Sequence, residues 1–308
     1  MRNNNSYTVS VFLLTYNQEA FIAQTIESIM GQITDFDYQL VIGEDHSPDS
    51  TRTICERYAK QYPDNIKLLP NLGSNVGLIA NYMRTIKECD GKYIAICDGD
   101  DYWTDTQKLQ NQVDFLETNP SCSIVYSNYT KLFPDGRFEK NAMYHKAPIS
   151  TFEDLINNNF IPSVTALFVN RQAEEALPTW IAKYPYGDWP TYLWTIRDKG
   201  TVGYIDEDMS MYRMDIGTSA ALIKENSALV SVNLGILSDM YNDIAFAQKK
   251  GLIRNIIVHR KRELMISYNR ERKFVKGFNQ LCYHLLNNGQ KLQTVKLYLY
   301  SLKKNFKK

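Results

Sequence analysis

Apolar runs of strand length and amphipathic stretches of helix length alternate through the first hundred residues, with a polar cluster where each strand stops. Residues 8–14 form a β-type apolar run that ends in Thr15-Tyr16-Asn17-Gln18. Ile22, Ile26, Ile29 and Met30 then recur at three- and four-residue spacing up to Gly31, the period of a helix with one buried face. Residues 38–43 read as a second strand, running into Glu44-Asp45-His46-Ser47-Pro48-Asp49-Ser50-Thr51. Ser47 before Pro48 has the form of an N-cap followed by proline at the first helical position, which predicts a helix reaching Tyr62, where Pro63 ends it. Residues 66–69 are a short third strand, and Asn75-Val76-Gly77 leads into a helix that carries Asn81 and Arg84. A fourth apolar run, from Tyr93, delivers Asp98-Gly99-Asp100-Asp101.

This alternation implies a mostly parallel sheet with helices on both faces. In such sheets ligands bind beyond the carboxyl ends of the strands, and the clusters at 15–17, 44–45 and 98–101 all fall at such ends. Three carboxylates within four residues repel one another, and unpaired burial is costly. They either face water at a turn or are neutralised by a cation. Alone, Asp-Gly-Asp-Asp reads as a turn; beside two further polar clusters on one sheet edge, it reads as part of a site.

Further along, residues 105–119 read as a helix with Leu109, Val113 and Leu116 on one face. Residues 122–129 are a strand, Pro134-Asp135-Gly136 a hairpin-type turn, and 152–157 a short helix. Residues 164–169 form another strand, a helix starts at Asp188, and 201–205 and 209–212 read as two more strands. From Ala220 the pattern becomes helical, with breaks expected near Gly251, Gly277 and Gly289. The expected division is an α/β domain over 1–220 and a basic helical region over 221–308.

Composition narrows the class. The 308 residues can bury a substantial core, and 44% hydrophobic with 22% charged content is that of a soluble globular protein. Five scattered cysteines without Cys-x-x-Cys spacing point to reduced thiols and a cytoplasmic setting, against a disulfide framework or zinc site. The N-terminus lacks the apolar segment of a signal peptide, and no stretch reaches the ~20 apolar residues that span a bilayer. The four histidines (His46, His145, His259, His284) show no metal spacing. Of 35 Lys/Arg and 34 Asp/Glu, 14 and two fall after residue 250, leaving 21 and 32 before it. An acidic body with a basic tail suggests two surfaces with different partners.

The segments Thr15-Tyr16-Asn17, Glu44-Asp45-His46-Ser47-Pro48-Asp49, Asn75-Val76-Gly77 with Asn81 and Arg84, and Asp98-Gly99-Asp100-Asp101-Tyr102-Trp103 follow one another as in family 2 glycosyltransferases, which the chain resembles. Gly187-Asp188-Trp189-Pro190 and Tyr212-Arg213 are similar to that family's acceptor-side motifs, so the resemblance covers residues 8–220. It implies an α/β fold of the GT-A type, a mostly parallel (mixed) sheet flanked by helices, with a C-terminal helical extension. It also implies inverting transfer of a sugar from a nucleotide-sugar donor, UDP-linked, to a saccharide or lipid-linked saccharide acceptor in bacterial surface polysaccharide synthesis, with Mg2+ or Mn2+ as cofactor.

By the same resemblance, Thr15, Tyr16, Asn17 and Glu19 line the nucleobase and ribose, Asp45 accepts from the base, Asp98 contacts the ribose and Asp100 the metal. Each residue also has a plainer reading. Tyr16 offers a ring for a base or merely covers the sheet edge; Asp45 binds the base or caps the helix near Ser47. Asn81 and Arg84 share a helix face, with Arg84 contacting phosphate or making a surface ion pair. Asp188, at an aromatic helix start, is the expected base, its pKa raised by partial burial; the competing reading is a helix cap. Two residues after Arg213, where the family often has histidine, stands Asp215, a competent hard-metal ligand that adds negative charge near a diphosphate. Arg213 is the expected phosphate partner, with Ser219 capping the next helix.

In the tail, Leu292, Val295, Leu299 and Leu302 make a helical stripe amid lysines that either contacts an anionic membrane peripherally or packs on the body. Two alternatives were weighed. A sugar-nucleotide pyrophosphorylase wants a Gly-rich phosphate loop after the first strand, and residues 15–19 have none. A nucleic-acid-binding or scaffold protein using the tail fits poorly with the acidic body and the ordered strand-end motifs, so no nucleic-acid partner is expected.

Overall fold

In the computed structural model the described residues are 7–141, 147–172, 174–216, 225–287 and 291–303. They divide into two compact units, Met1–Ile216 and Gly217–Lys308.

The first unit begins as the alternation requires: β1 (Val9–Thr15), α1 (Ile22–Met30), β2 (Tyr38–Glu44), α2 (Thr51–Gln61), β3 (Ile66–Leu68), α3 (Leu78–Ile86) and β4 (Tyr93–Ile96). β5 (Tyr102–Trp103), α4 (Lys108–Thr118), β6 (Cys122–Leu132), β7 (Phe138–Lys140), β8 (Ile149–Ser150), α5 (Phe152–Asn157), β9 (Ala166–Val169), α6 (Asp188–Thr195) and β10 (Thr201–Arg213) complete it. The sheet runs β3-β2-β1-β4-β9-β6-β10-β5, with β7 on β6 and β8 on β10. β1 is parallel to β2 and β4, whereas β9 lies antiparallel between β4 and β6, so the sheet is mixed.

Every residue of β1 and β2 is buried, as unbroken apolar runs in a covered sheet should be. Val9, Val11 and Leu13 face one way, into a core with Ile22, Ile26 and Ile29 of α1, Cys55 of α2, and Leu109 and Val113 of α4. Phe12 faces the other way, its ring 4.9 Å from that of Tyr82 on α3, and on the same side Phe168 meets Tyr192 of α6 at 5.6 Å.

Several boundaries differ from the expectation, each for a local reason. α2 starts at Thr51, not at Pro48, because the polar groups before it are spent on tertiary hydrogen bonds: the Ser47 amide donates to Glu44 Oε1 at 2.6 Å. α4 starts at Lys108 rather than at residue 105 because Asp105 is used by the preceding turn, accepting from the Gln107 amide at 2.8 Å. The two strands expected over 201–212 are one, β10, which stays on β6 through register shifts between Ile205 and Asp208 and between Asp208 and Ser210. Such bulges bend a strand without ending it, and here they let Ser210 and Met211 pair with β5.

The second unit contains α7 (Asn226–Asn242), α8 (Lys250–Arg270), α9 (Phe274–Asn287) and α10 (Lys291–Lys303). Its breaks fall at Asp243 and after Arg270. Gly251 and Gly277 lie inside helices, correcting two of the expected breaks, while Gly289, Ser219 and His145 lie outside the described residues. Gly277 is needed for packing: a Cβ there would come within 3.0 Å of Asn269 Cγ on α8. Val230 and Leu234 of α7 pack with Leu264 of α8. On α10 the apolar stripe is not the buried seam. Thr294 and Ser301 are the buried residues, because Ser301 accepts a 2.7 Å hydrogen bond from the buried Asn269 Nδ2, whereas Leu292 and Leu299 face outward.

Gly91 marks the tightest approach of backbone to β1, since an added Cβ would stand 2.8 Å from the Val9 carbonyl carbon. Gly91→Ala is expected to cost about 1–3 kcal/mol of stability through overpacking, measured as a lowered urea midpoint at unchanged slope.

Candidate active site

The turn after β4 is built mostly from main-chain contacts. The Gly99 amide donates to the Leu14 carbonyl at 2.9 Å, and the Asp101 amide to the Asp98 carbonyl at 2.9 Å. Thr25 Oγ1 on α1 lies 2.6 Å from the Asp101 carbonyl and 3.0 Å from that of Gly99. Gly99 is required by close approach, since a Cβ would sit 2.8 Å from Thr15 Oγ1. From β10, the Arg213 amide donates to Asp101 Oδ1 at 2.8 Å, while its guanidinium bonds the Asp100 carbonyl and, at 2.6 Å, Gln24 Oε1. The guanidinium also lies over the rings of Phe21 and Tyr102, at 4.6 and 5.0 Å. Its named hydrogen bonds run to a carbonyl and an amide oxygen, and neither is to a carboxylate.

The carboxylates are therefore short of counter-charge. Asp100 and Asp101 are buried and Asp98 partly so. Burial, then Asp100, then Asp188 push the Asp98 carboxyl up to about 7, against a 2.6 Å hydrogen bond from Ser163 Oγ. Burial raises Asp100, opposed by Arg213 and Gln18. Asp101 is held well above the usual carboxylate range by burial and by both neighbours. Like charges in a poorly solvated place raise one another's affinity for protons, and a cation relieves this. No group of three or more His, Cys, Asp or Glu among the described residues is arranged to hold a metal. An ion of the Mg2+ or Mn2+ kind takes one or two protein carboxylates and leaves positions open for phosphate oxygens.

The loops after β1 and β2 are zipped together. Asn17, at φ 54°, donates its amide to Ser47 Oγ at 3.0 Å. The Gln18 amide reaches Thr51 Oγ1 at 2.8 Å, the Glu19 amide Asp49 Oδ2 at 3.0 Å, and Glu19 Oε2 accepts from the Ser50 amide at 2.8 Å. Thr15 is buried and donates to Gln18 Oε1, while Tyr16 stands exposed on the rim. Asp45 accepts from the amides of Val76 and Gly77, both at 2.9 Å, and Gly77 adopts φ 87°, a conformation that favours glycine. Asn81 donates to the Gly43 carbonyl at 2.7 Å, and Arg84 donates to the carbonyls of Glu44 and Pro70 and to Asn81 Oδ1. The structure thus brings Asn81 and Arg84 beneath the ends of β2 and β3, with the guanidinium committed to the chain itself.

On the other wall Asp188 opens α6. Its N-cap, Gly187, lies flat on Tyr82, whose ring carbons would be 2.6 Å from an added Cβ. Tyr82 Oη bonds Thr191 Oγ1 at 3.0 Å, and Trp189 Nε1 donates to the Leu155 carbonyl at 2.9 Å, so both ends of the first turn are anchored. Asn159 Nδ2 donates to Asp188 Oδ2 at 3.3 Å. Burial nevertheless raises the Asp188 carboxyl, with the Trp189 amide and Asn159 opposing. Asp98, 90 positions away in the chain, feels the Asp188 charge. Asp215, at φ 61°, is exposed in the turn after β10 and is not gathered with residues 98–101 into a three-carboxylate group.

Comparison with known proteins finds the same kind of fold. The profile of glycosyl transferase family 2 matches residues 10–173. The chain belongs to that family. An uncharacterized protein of Mycobacterium tuberculosis is 29% identical over 212 residues, 67% of this chain and 58% of its own length, so the chain spans little more than half of the curated relatives it matches first. A Bacillus subtilis glycosyltransferase named for teichuronic acid biosynthesis, TuaG, is 26% identical over 208 residues, 67% of this chain and 79% of its own. Among solved structures, Staphylococcus aureus TarS in complex with UDP aligns at TM-score 0.58 and 18% identity, covering 97% of this chain and 82% of that one. The Pyrobaculum calidifontis mannosyltransferase PcManGT, with GDP-Man and Mn2+, aligns at 0.56 and 14%, covering 98% and 81%. At those identities the likeness establishes the fold, a GT-A-type sheet.

Sequence reasoning missed Ser163, Asn159 and Thr25. Thr25 left a trace, a polar residue on the otherwise apolar face of Ile22, Ile26 and Ile29. Ser163 and Asn159 reach the site from 65 and 29 positions away and left none.

The raised carboxyls make a pH prediction for the metal-free protein. Where the folded pKa exceeds the unfolded one, the folded state holds more protons between the two values, so stability falls as pH rises from about 4 toward the value near 7 reached by Asp98. With chelator present, melting temperature should decline across that window, and Asp98→Asn should raise it at pH 8 and flatten the decline.

Proposed function

We propose that this glycosyl transferase family 2 chain moves a sugar, with inversion, from a UDP-linked donor to a hydroxyl of a saccharide or lipid-linked saccharide acceptor in surface polysaccharide synthesis. The observation that carries this is the placement of Asp188, at the start of α6, near enough to Asp98, at the end of β4, for its charge to raise the Asp98 carboxyl. One wall suits a diphosphate with a cation; the other suits a base for an incoming hydroxyl. The UDP complex of TarS and the Mn2+ complex of PcManGT concern those proteins, and they support the choice of donor class and cation here.

In this reading the zipped loops carrying Thr15, Tyr16, Asn17 and Glu19, together with Asp45, hold the nucleobase and ribose, and Asp98 meets the ribose. Asp100 would hold the divalent cation, and the chemistry it would supply there is positive charge beside the departing diphosphate. Arg213 and Arg84 position the turn and the end of β2. Asp188 takes the proton from the acceptor hydroxyl, its raised pKa matching it to that task. As the new bond forms from the acceptor oxygen to the anomeric carbon, the bond to the diphosphate breaks on the opposite face and UDP leaves. Asn159 holds Asp188 in register for the transfer. Asp215 has no place in this minimal scheme.

Release of UDP from a panel of UDP-sugars in Mn2+ provides the test. Asp188→Asn should lower turnover by about 10²–10⁴-fold while leaving the donor-induced thermal shift intact. Asp100→Asn should abolish the Mn2+-dependent part of that shift. Unchanged turnover in both variants would refute the assignment.

A further inference from the structure

The last two helices leave apolar side chains in the open. On α9, Val275 and Leu286 are 76% and 85% exposed, and on α10, Leu292 and Leu299 are 71% and 51% exposed. Phe278 and Tyr300 are exposed as well. Leu292 and Leu299 lie off the buried seam of α10, which is Thr294 and Ser301, and α9 approaches α8 through Gly277. On α10 the outward row runs Leu292, Lys296, Leu299, Lys303, at steps of four, three and four, which places all four on one face.

Charge decides what fits there. Neither α9 nor α10 contains an aspartate or glutamate, whereas Lys276, Lys291, Lys296 and Lys303 are all exposed on them. The two acidic residues after position 250 are already paired, Glu263 with Arg260 and Glu271 with Lys273. A second copy would bring like charge against like. A nucleic acid would satisfy the lysines but not the leucines between them.

We propose that α9 and α10 dock this face on an anionic lipid surface. Leu292, Leu299 and the outward side chains of α9 enter the headgroup boundary, while the lysine stems lie along the apolar layer and their ammonium groups stay at phosphate level. No described helix is long and apolar enough to cross a membrane, so the contact is with the surface. This assignment is independent of the catalytic reading, because its readout is partitioning and not sugar transfer.

The full chain is sedimented with phosphatidylcholine vesicles, with and without about 30% phosphatidylglycerol. Partitioning should be about tenfold stronger to the anionic vesicles and weaken in high salt. Leu292→Ser with Leu299→Ser, and separately Lys296→Gln with Lys303→Gln, should each lower it about tenfold. Melting temperature should not change, since all four side chains are exposed. Equal partitioning to neutral vesicles, no partitioning, or wild-type partitioning by both double variants overturns the proposal. So does a concentration-dependent dimer that the leucine variants dissolve without any vesicle binding.

Discussion

Three carboxylates held close together at a strand end, with little water and with the Arg213 guanidinium turned to main-chain and amide oxygens instead of to the acids, are the constraint around which the first unit is arranged. Mutual repulsion alone would splay the turn at residues 98–101 open. It stays closed because the main chain, not the carboxylates, is gripped from several directions: by Leu14 of β1, by Thr25 of α1 and by the Arg213 guanidinium on β10. The neutral Ser163 hydroxyl and the Arg213 amide then meet the acids themselves without cancelling their charge. The protein thus carries electrostatic strain into the site and leaves its relief to a ligand, a common condition of binding sites tuned by burial.

The mixed sheet follows from the same requirement. An all-parallel sheet would place only strand ends of one kind beside the acids. Inserting β9 antiparallel between β4 and β6 brings the segment just before that strand, with Ser163, next to Asp98. The irregular β10 stays on β6 from Thr201 to Arg213 while Ser210 and Met211 also pair with β5 and the Arg213 amide reaches the acidic turn.

The alternating half of the fold was readable because its signals are local. Strand runs, helical spacing and polar strand ends all fall within a dozen residues, and the clusters at Asn17, Asp45 and Asp98 do follow the ends of three parallel strands on one edge of the sheet. What escaped depended on distant partners. The start of α2 moved because Glu44, Asp49 and Glu19 compete for the amides before it. Arg84 and Arg213 look in sequence like phosphate ligands, and only the fold shows their donors turned to carbonyls and to Gln24. On α10 hydrophobicity alone left two readings open, and Leu292 and Leu299 face outward. Its inner seam is a threonine and a serine, because a buried asparagine on α8 demanded a polar partner.

Gly187 against Tyr82 fixes where the turn that carries Asp188 stands. With no side chain at position 187, the first turn of α6 closes on the Tyr82 ring of α3. The hydrogen bond from Tyr82 to Thr191 holds the same helix at a second point. Even one methyl group at 187 would meet ring carbons within 3 Å, so the ring or the helix start would have to move, and Asp188 with it.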